Sequence, residues 1–445
     1  MMGVRLSGVK GRCILSGMNP RPNLFPDAAI APRLFAALHA MSFDGLGITR
    51  EAYGPKETAA HALVAAEAAA LGLRVEPDHA GNLYMTLPGT DPSLPRIILG
   101  SHLDSVRSGG NYDGAGGVLA GLSVVAGLVH AGFRPLRDIT VMAIRSEEAG
   151  SWFPVSYVGS RAALGRLPPE ALDVPRQDDG RTLAAHMAEE GFDPDAVRAG
   201  RAAVTAETVA AFVELHIEQG PQLDEREIPL GLVTGIPGSR RYRAARVFGE
   251  YNHSGATPRR LRKDAAIALA ELAYRLDAEW ARLEAEGHVL VCTFCVLATA
   301  PEAGFTLIPG EARFELDMRS ESRASVDLLH AALLRLVEEI EASRGVRFAL
   351  GDESGSLSSR MDATVYAELV EAATTADVAF QPMLSGGGHD TAAFAQAGIP
   401  ACLVFVRNQF GSHNAREAMR MEDFDAACRV LSRWVIARSS EDSAP

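Results

Sequence analysis

Four short stretches of this sequence place histidine or acidic residues directly after apolar runs. "RIILG" is followed by Ser101-His102-Leu103-Asp104, and "ITVMAIRS" by Glu147-Glu148. "FVELHIEQG" carries His216 and Glu218, and "CLVFVRNQFGS" leads into His413. Apolar runs bounded by polar clusters read as central strands buried on both faces. Open α/β sheets build their sites at the carboxyl ends of such strands. A further acid, Asp113, lies in the glycine-rich loop "SGGNYDGAGG" before an apolar helix. Imidazole with carboxylate suits zinc or manganese, and a carboxylate has two oxygens with which to bridge two ions. Two such ions polarise a carbonyl and lower the pKa of a shared water. Of two adjacent glutamates, one can turn to a metal and the other to the water's proton. Asp104, two residues beyond His102, points the same way along a continuing strand and can orient the imidazole. Taken singly, each feature has a plainer reading: a surface histidine, Asp113 as a helix N-cap, a solvated glutamate turn. Their joint delivery to one sheet edge favours a metal site.

The elements that must position these residues follow an α/β pattern. "KETAAHALVAAEAAALG" and "GAGGVLAGLSVVAGLVHAG" read as helices, and "GNLYMTLPG" as a short strand. "RIILG", "DITVMAI", "VAAFVEL" and "IPACLVFV" read as buried strands of a doubly wound mixed sheet. Between residues 237 and 350 the order becomes β-α-β-β-α-β, the split unit of a ferredoxin-like α+β domain. The chemistry-bearing motifs lie almost wholly outside it. The expected organisation is a catalytic domain in two parts, 24–236 and 351–438, with a lid and dimerisation domain, 237–350, inserted between them.

At 445 residues the chain has room for two domains. A net charge of −13 argues against a nucleic-acid partner, and no apolar run is long enough to span a bilayer. The first twenty residues carry Arg5, Lys10 and Arg12 without the apolar core of a secretory signal. They read as a disordered start, with Met18 as an alternative initiation point. Five cysteines, an odd number, suggest reduced thiols and a cytoplasmic setting. Cys292 and Cys295 sit three apart on one strand, facing opposite sides, which disfavours a shared metal. His61, His130, His186 and His330 fall in helical segments and read as structural.

The motifs "GSHLDSV…GGNYDGAGGV", "EE…VGSRA", "ELHIEQGP", "HSGATP", "IPGEARFELDMR", "SGGGHD" and "GSHNAREAM" resemble those of the N-carbamoyl-L-amino-acid amidohydrolases. That family includes allantoate amidohydrolases and β-ureidopropionases, within the aminoacylase and carboxypeptidase-G-type group. The resemblance runs from about residue 30 to 437. It implies a bimetal catalytic domain, a smaller lid that also dimerises, and two divalent ions per subunit (zinc, manganese or cobalt). His102 and His216 would hold one ion, Glu148 and His413 the other, and Asp113 would bridge. Glu147 would be the general base, with Asp104 supporting it. Substrate groups would be bound by Gln219, His253, Arg319 and Gly388. His253 is expected to act across a homodimer. Where the family commonly reads "N-V-I-P-G-E", this chain has Thr306 in the Asn position, and a hydroxyl cannot present an amide's paired donor and acceptor. The stretch "VRNQFGSHN" before His413 departs from the family as well. The expected activity is metal-dependent hydrolysis of an amide or ureido C–N bond in a small carboxylate-bearing substrate, most simply an N-carbamoyl-amino acid. The alternatives are an aminoacylase or dipeptidase acting on an N-acylamino acid, an allantoate-type amidohydrolase, and a non-catalytic ligand-binding relative.

Overall fold

The computed structural model of the chain describes residues 25–148 and 150–440. The expectation of a disordered start, with Met18 as initiator, lies outside the described residues. In chain order the first strands are β1 (Arg74–Pro77), β2 (Leu83–Leu87), β3 (Arg96–His102), β4 (Ile139–Ile144), β5 (Val209–Ile217) and β6 (Leu230–Ile236). Next come β7 (Gly238–Phe248), β8 (Asn252–His253), β9 (Val291–Thr299), β10 (Leu307–Ile308), β11 (Glu311–Ser320), β12 (Arg347–Ala349) and β13 (Glu353–Ser356). After them follow β14 (Ser359–Arg360), β15 (Phe380–Leu384) and β16 (Ala401–Val406).

The large sheet runs β1-β2-β4-β3-β5-β16-β6-β14, with β15 beside β6. Its centre, β4-β3-β5-β16, is parallel, and β2 and β6 flank that centre antiparallel. The central strands are mostly apolar because both faces are covered. Ile97, Leu99, Val141 and Val213 enter one core, while Ile98, Met142 and Phe212 point the other way into a second. The first core is filled by the helix Ala115–His130, which is apolar all round and buried from Ala115 to Leu128. The sheet is therefore mixed and doubly wound, as the alternation of strand and helix patterns suggests.

A second sheet is ordered β12-β7-β11-β9, with β13 also paired to β7. The helices Ala265–Ala285 and Arg323–Arg344 cover it around a separate apolar core that includes Leu272, Phe314, Leu316 and Leu333. Along β11 the burial alternates, with Phe314, Leu316 and Met318 inward and Arg313, Glu315, Asp317 and Arg319 on the other face. Strand β13 carries this sheet beyond residue 350, where the sequence pattern ends the unit. "ESGS" has no apolar alternation by which a strand could be read. Beside this sheet, β8 and β10 form a small two-stranded arm.

Glycines let the helix Ala115–His130 sit close on β3 and β5. A Cβ on Gly117 would lie 2.3 Å from the Leu215 carbonyl oxygen and 2.5 Å from Ser101 Cβ, whereas one on Gly116 meets nothing within 4 Å. Gly117→Ala is therefore expected to cost about 1–3 kcal/mol by overpacking. Gly116→Ala should stabilise by about 0.5–1 kcal/mol through helix propensity. Urea unfolding of the two variants checks this, and equal effects would show that the close approach is not what constrains Gly117.

Candidate metal centre

The carboxyl ends of β3, β4, β5 and β16 converge, and each delivers groups to one place. His102 is the last residue of β3, and His216 lies near the end of β5. Glu147 and Glu148 follow β4, and His413 comes from the loop after β16, with a left-handed φ of 59°. Asp113 arrives from the loop before the buried helix. The helix N-cap is Gly114, at φ 64°, so Asp113 is not spent on capping. An added Cβ on Gly114 would fall 2.4 Å from the His102 ring, so only glycine lets the loop pass there.

Asp113 is the centre of the arrangement. Its Oδ1 lies 3.0 Å from His216 Nε2 and 3.4 Å from His102 Nε2. Its Oδ2 is 3.9 Å from His413 Nε2, which is 3.5 Å from Glu148 Oε2. Two groups thus share Asp113: His102, Asp113 and His216, and Asp113, Glu148 and His413, with ligand atoms in each within 4.8 Å of one another. The hydrogen bonding leaves the Nε2 atoms of His102 and His216 facing Asp113 Oδ1, while Asp113 Oδ2 accepts from Gln219 Nε2 and Ser412 Oγ. His216 Nδ1 lies 2.9 Å from the Ile217 carbonyl and His102 Nδ1 3.2 Å from the Asp104 carbonyl. Donation there directs both Nε2 lone pairs inward, the tautomer that a metal ligand needs. Asp113 Oδ1 and Glu148 Oε1 are buried with no hydrogen-bond partner among the described residues. Orphaned buried anionic oxygens beside inward-facing imidazoles fit divalent cations.

The electrostatics show a centre rich in acid. Against burial, the surrounding carboxylates draw His102 and His216 toward the charged form, and these two rings outweigh burial and hold the Asp113 carboxyl well below the usual range. Glu147 and Glu148 are both pushed well above theirs, chiefly by burial. Glu147 belongs to neither group of ligands, although its Oε2 is 3.9 Å from His102 Nε2.

Asp104 does not lie on the strand, which ends at His102. From the loop beyond, its carboxylate reaches to 3.4 Å from His102 Nδ1 and accepts the backbone N–H groups of Glu147 and Glu148 at 2.9 and 3.1 Å. It thereby ties the glutamate pair to the histidine. Glu218 is not in either ligand group, since its carboxylate accepts the N–H groups of Gln222 and Leu223 at a short helix.

A cavity of about 900 Å³ opens beside these groups, between the large sheet and the second one. Gln219, Arg319 and Gly388 line it, and Gln219 Nε2 donates to Asp113 Oδ2 at 3.0 Å. His253 and Thr306 do not line it. They lie together on the exposed β8–β10 arm, where His253 Nδ1 accepts the N–H groups of Gly255 and Ala256.

Two residues that sequence reasoning does not single out stand inside the quoted motifs. His389, of "SGGGHD", packs edge-on against His216 with ring centroids 4.4 Å apart. Glu417, of "GSHNAREAM", accepts the N–H groups of Tyr112 and Asp113 and contacts Ser412, so it fastens the Asp113 loop to the His413 loop. Only their presence in those motifs could have flagged them.

The profile of peptidase family M20/M25/M40 matches residues 98–437. The chain is 36% identical over 397 residues to an N-carbamoyl-L-amino acid amidohydrolase of Geobacillus stearothermophilus, covering 88% of this chain and 94% of the relative. It is 31% identical over 397 residues to an allantoate amidohydrolase of Bacillus subtilis, covering 89% and 93%. Its fold matches the crystal structure of a hydantoinase/carbamoylase family amidase from Burkholderia multivorans at a TM-score of 0.83 and 29% identity, covering 94% of this chain and 100% of that one. Profile, relatives and fold agree that the chain belongs to peptidase family M20/M25/M40.

Proposed function

We propose that this chain is a metal-dependent amidohydrolase that cleaves the ureido C–N bond of a small, carboxylate-bearing N-carbamoyl compound. The observation that carries the reading is Asp113, whose carboxylate is shared by two ligand groups while Glu147 belongs to neither. Relatives named as N-carbamoyl-L-amino acid and allantoate amidohydrolases support the ureido chemistry. His102, His216 and Asp113 would hold one divalent ion and Asp113, Glu148 and His413 a second, zinc, manganese or cobalt. Ions there supply Lewis-acid polarisation of the carbamoyl carbonyl and acidify water.

The remaining work belongs to the chain. Glu147 takes the proton of the attacking water on its carboxylate and passes it to the leaving nitrogen. Asp104 holds the Glu147 backbone in place through its N–H. Gln219, Gly388 and Arg319 orient the substrate's amide and carboxylate from the cavity wall. The unit 237–350 acts as a lid and homodimer interface, and His253 on its exposed arm serves the partner's site. The described cysteines Cys292, Cys295, Cys402 and Cys428 are all unpaired, which supports a cytoplasmic setting.

With manganese, zinc or cobalt added, the protein should release ammonia from N-carbamoyl amino acids and no amino acid from their N-acetyl counterparts; the opposite pattern would make it an aminoacylase. Glu147→Gln should keep its bound metal by elemental analysis while kcat falls about 10²–10⁴-fold, since a proton acceptor and not a ligand is removed. Glu148→Gln should lose metal, and the reverse pattern would exchange the two roles. Finally, His253→Ala should lose about 10²–10³-fold in kcat, the worth of one oxyanion donor. Mixing it with inactive Glu147→Gln subunits should restore part of the activity, and heterodimers that stay inactive would rule out action across the dimer.

A further inference from the structure

The cavity beside the metal centre is large for a small N-carbamoyl amino acid. Its volume of about 900 Å³ lies near the top of the roughly 300–1,000 Å³ range that holds drug-sized ligands. Five arginines line it: Arg161, Arg166, Arg241, Arg243 and Arg319. Three of these are already engaged. Arg319 grips Asp317 Oδ2 through Nε and Nη2 at 2.8 and 2.7 Å, and its Nη1 donates to the Gly386 carbonyl at 2.8 Å. Arg241 Nε donates to the other oxygen of Asp317 at 3.2 Å, and Arg166 donates to the Gln396 carbonyl at 2.7 Å.

The other two have no such engagement. The side chains of Arg161 and Arg243 make no hydrogen bond or ion pair among the described residues. Arg161 is half-buried, and the acid that acts on it, Glu170, is not part of the cavity wall. Withdrawing a guanidinium from water without giving it an anion costs stability, so the site gains from a ligand that supplies one. Arg161 stands one helical turn beyond Tyr157, which also lines the cavity. Tyr157 is held at a left-handed φ of 56°, uncommon for a non-glycine residue and frequent at functional sites. Its hydroxyl has no hydrogen-bond partner among the described residues and closes on Gly388, where an added Cβ would fall 1.8 Å from the oxygen. Tyr157 lines the cavity together with Glu147 and Glu148 of the metal centre and with Arg241 and Arg319 of the second sheet.

We propose that Arg161 and Arg243, with the Tyr157 hydroxyl, form a second anion subsite that receives a carboxylate at the far end of the substrate's side chain. The inference rests on the ureido reading above and narrows it to dicarboxylic N-carbamoyl compounds. The first carboxylate goes to Arg319, the scissile group to the metal centre, and the second carboxylate to the unengaged arginines. A guanidinium distinguishes a carboxylate from an isosteric amide by charge, because the amide nitrogen brings donors to a group that can only donate.

The test compares N-carbamoyl-L-glutamate with N-carbamoyl-L-glutamine, which differ in that charge and little in shape. Their affinities for the manganese-supplemented full chain carrying Glu147→Gln are measured by calorimetry, and their turnover by the unmutated chain through ammonia release. The glutamate derivative should bind at least tenfold more tightly. Arg161→Ala or Arg161→Gln in the same background should abolish that preference, leaving the glutamine derivative within about twofold of its original affinity, and Arg243→Ala should reduce it. Equal or undetectable affinities in the parent, or variants that weaken both compounds alike, would overturn the subsite. Turnover of N-carbamoyl-L-norvaline, which has no second carboxylate, reports on the reaction separately. If no carbamoyl compound is hydrolysed while the tenfold preference holds, the reaction reading falls and the subsite stands. If the norvaline derivative is hydrolysed and the preference is missing, the subsite falls alone.

Discussion

Six buried carboxylates meet at the carboxyl edge of the large sheet: Asp104, Asp113, Glu147, Glu148, Asp390 and Glu417. Each has given up hydration, and several of them repel one another. Burial lifts Glu417 to about 7 and Asp390 to about 8, with the Asp113 and Glu214 charges respectively adding to it. The buried cation Arg50 acts on Asp104, Asp113, Glu148 and Glu417, yet its Nη1 and Nη2 have no hydrogen-bond partner among the described residues. One guanidinium, with the His102 and His216 rings drawn toward their charged form, cannot balance six carboxylates, and buried charge without compensation costs several kcal/mol per group. The physical need of this edge is positive charge of high density, and divalent cations are what the donor set suits. Much of the surrounding structure can be understood as holding that mutually repelling cluster in a shape that cations can fill.

That holding is done by carboxylates with no place in the two ligand groups. Asp104 joins the end of β3 to the turn after β4 through three contacts. Glu417 joins the loop before the central helix to the loop after β16. Glu214, inside β5, accepts Ser101 Oγ from β3 and both the N–H and Oγ1 of Thr391, at the start of the helix behind the site. Hydrogen bonds to ionised acceptors are the stronger ones, and in a dry interior they also fix direction. The ligand atoms therefore stand on a rigid frame instead of on loops free to rearrange.

The strands of the large sheet, its central helix and the β-α-β-β-α-β order of residues 238–349 are legible in the sequence because burial on both faces writes itself as unbroken apolar runs and burial on one face as alternation. The sites at strand ends are legible for a related reason. A histidine or glutamate just after one such run is commonplace, but four runs ending in this way make a shared edge the simplest cause. What escapes is set by contacts distant in sequence. Spacing alone puts Asp104 on a strand, since nothing local shows that β3 stops at His102. Glu218, beside His216, looks equivalent to a site acid, and only the short helix after it accounts for its carboxylate. Strand β13 forms because β7 offers it a free edge, which no local pattern in "ESGS" announces.

Arg319 illustrates how the second sheet bears on recognition. Its guanidinium faces the cavity already bound to a carboxylate, that of Asp317 two residues earlier on the same face of β11. Asp317 is clamped by Arg241 as well, so its two oxygens join neighbouring strands β7 and β11 into a fixed fork. A substrate carboxylate that reaches Arg319 must share the guanidinium with Asp317 or replace it there. The affinity gained is then the difference between two similar charge-assisted pairs, smaller than an unoccupied arginine would give. In exchange the guanidinium is pre-oriented, so less conformational entropy is lost on binding. Such a site fixes the orientation of a substrate better than it holds one tightly. Net affinity for an anion must therefore come chiefly from donors that the protein leaves unengaged, and among the described residues of this cavity those include the guanidinium groups of Arg161 and Arg243 and the Tyr157 hydroxyl.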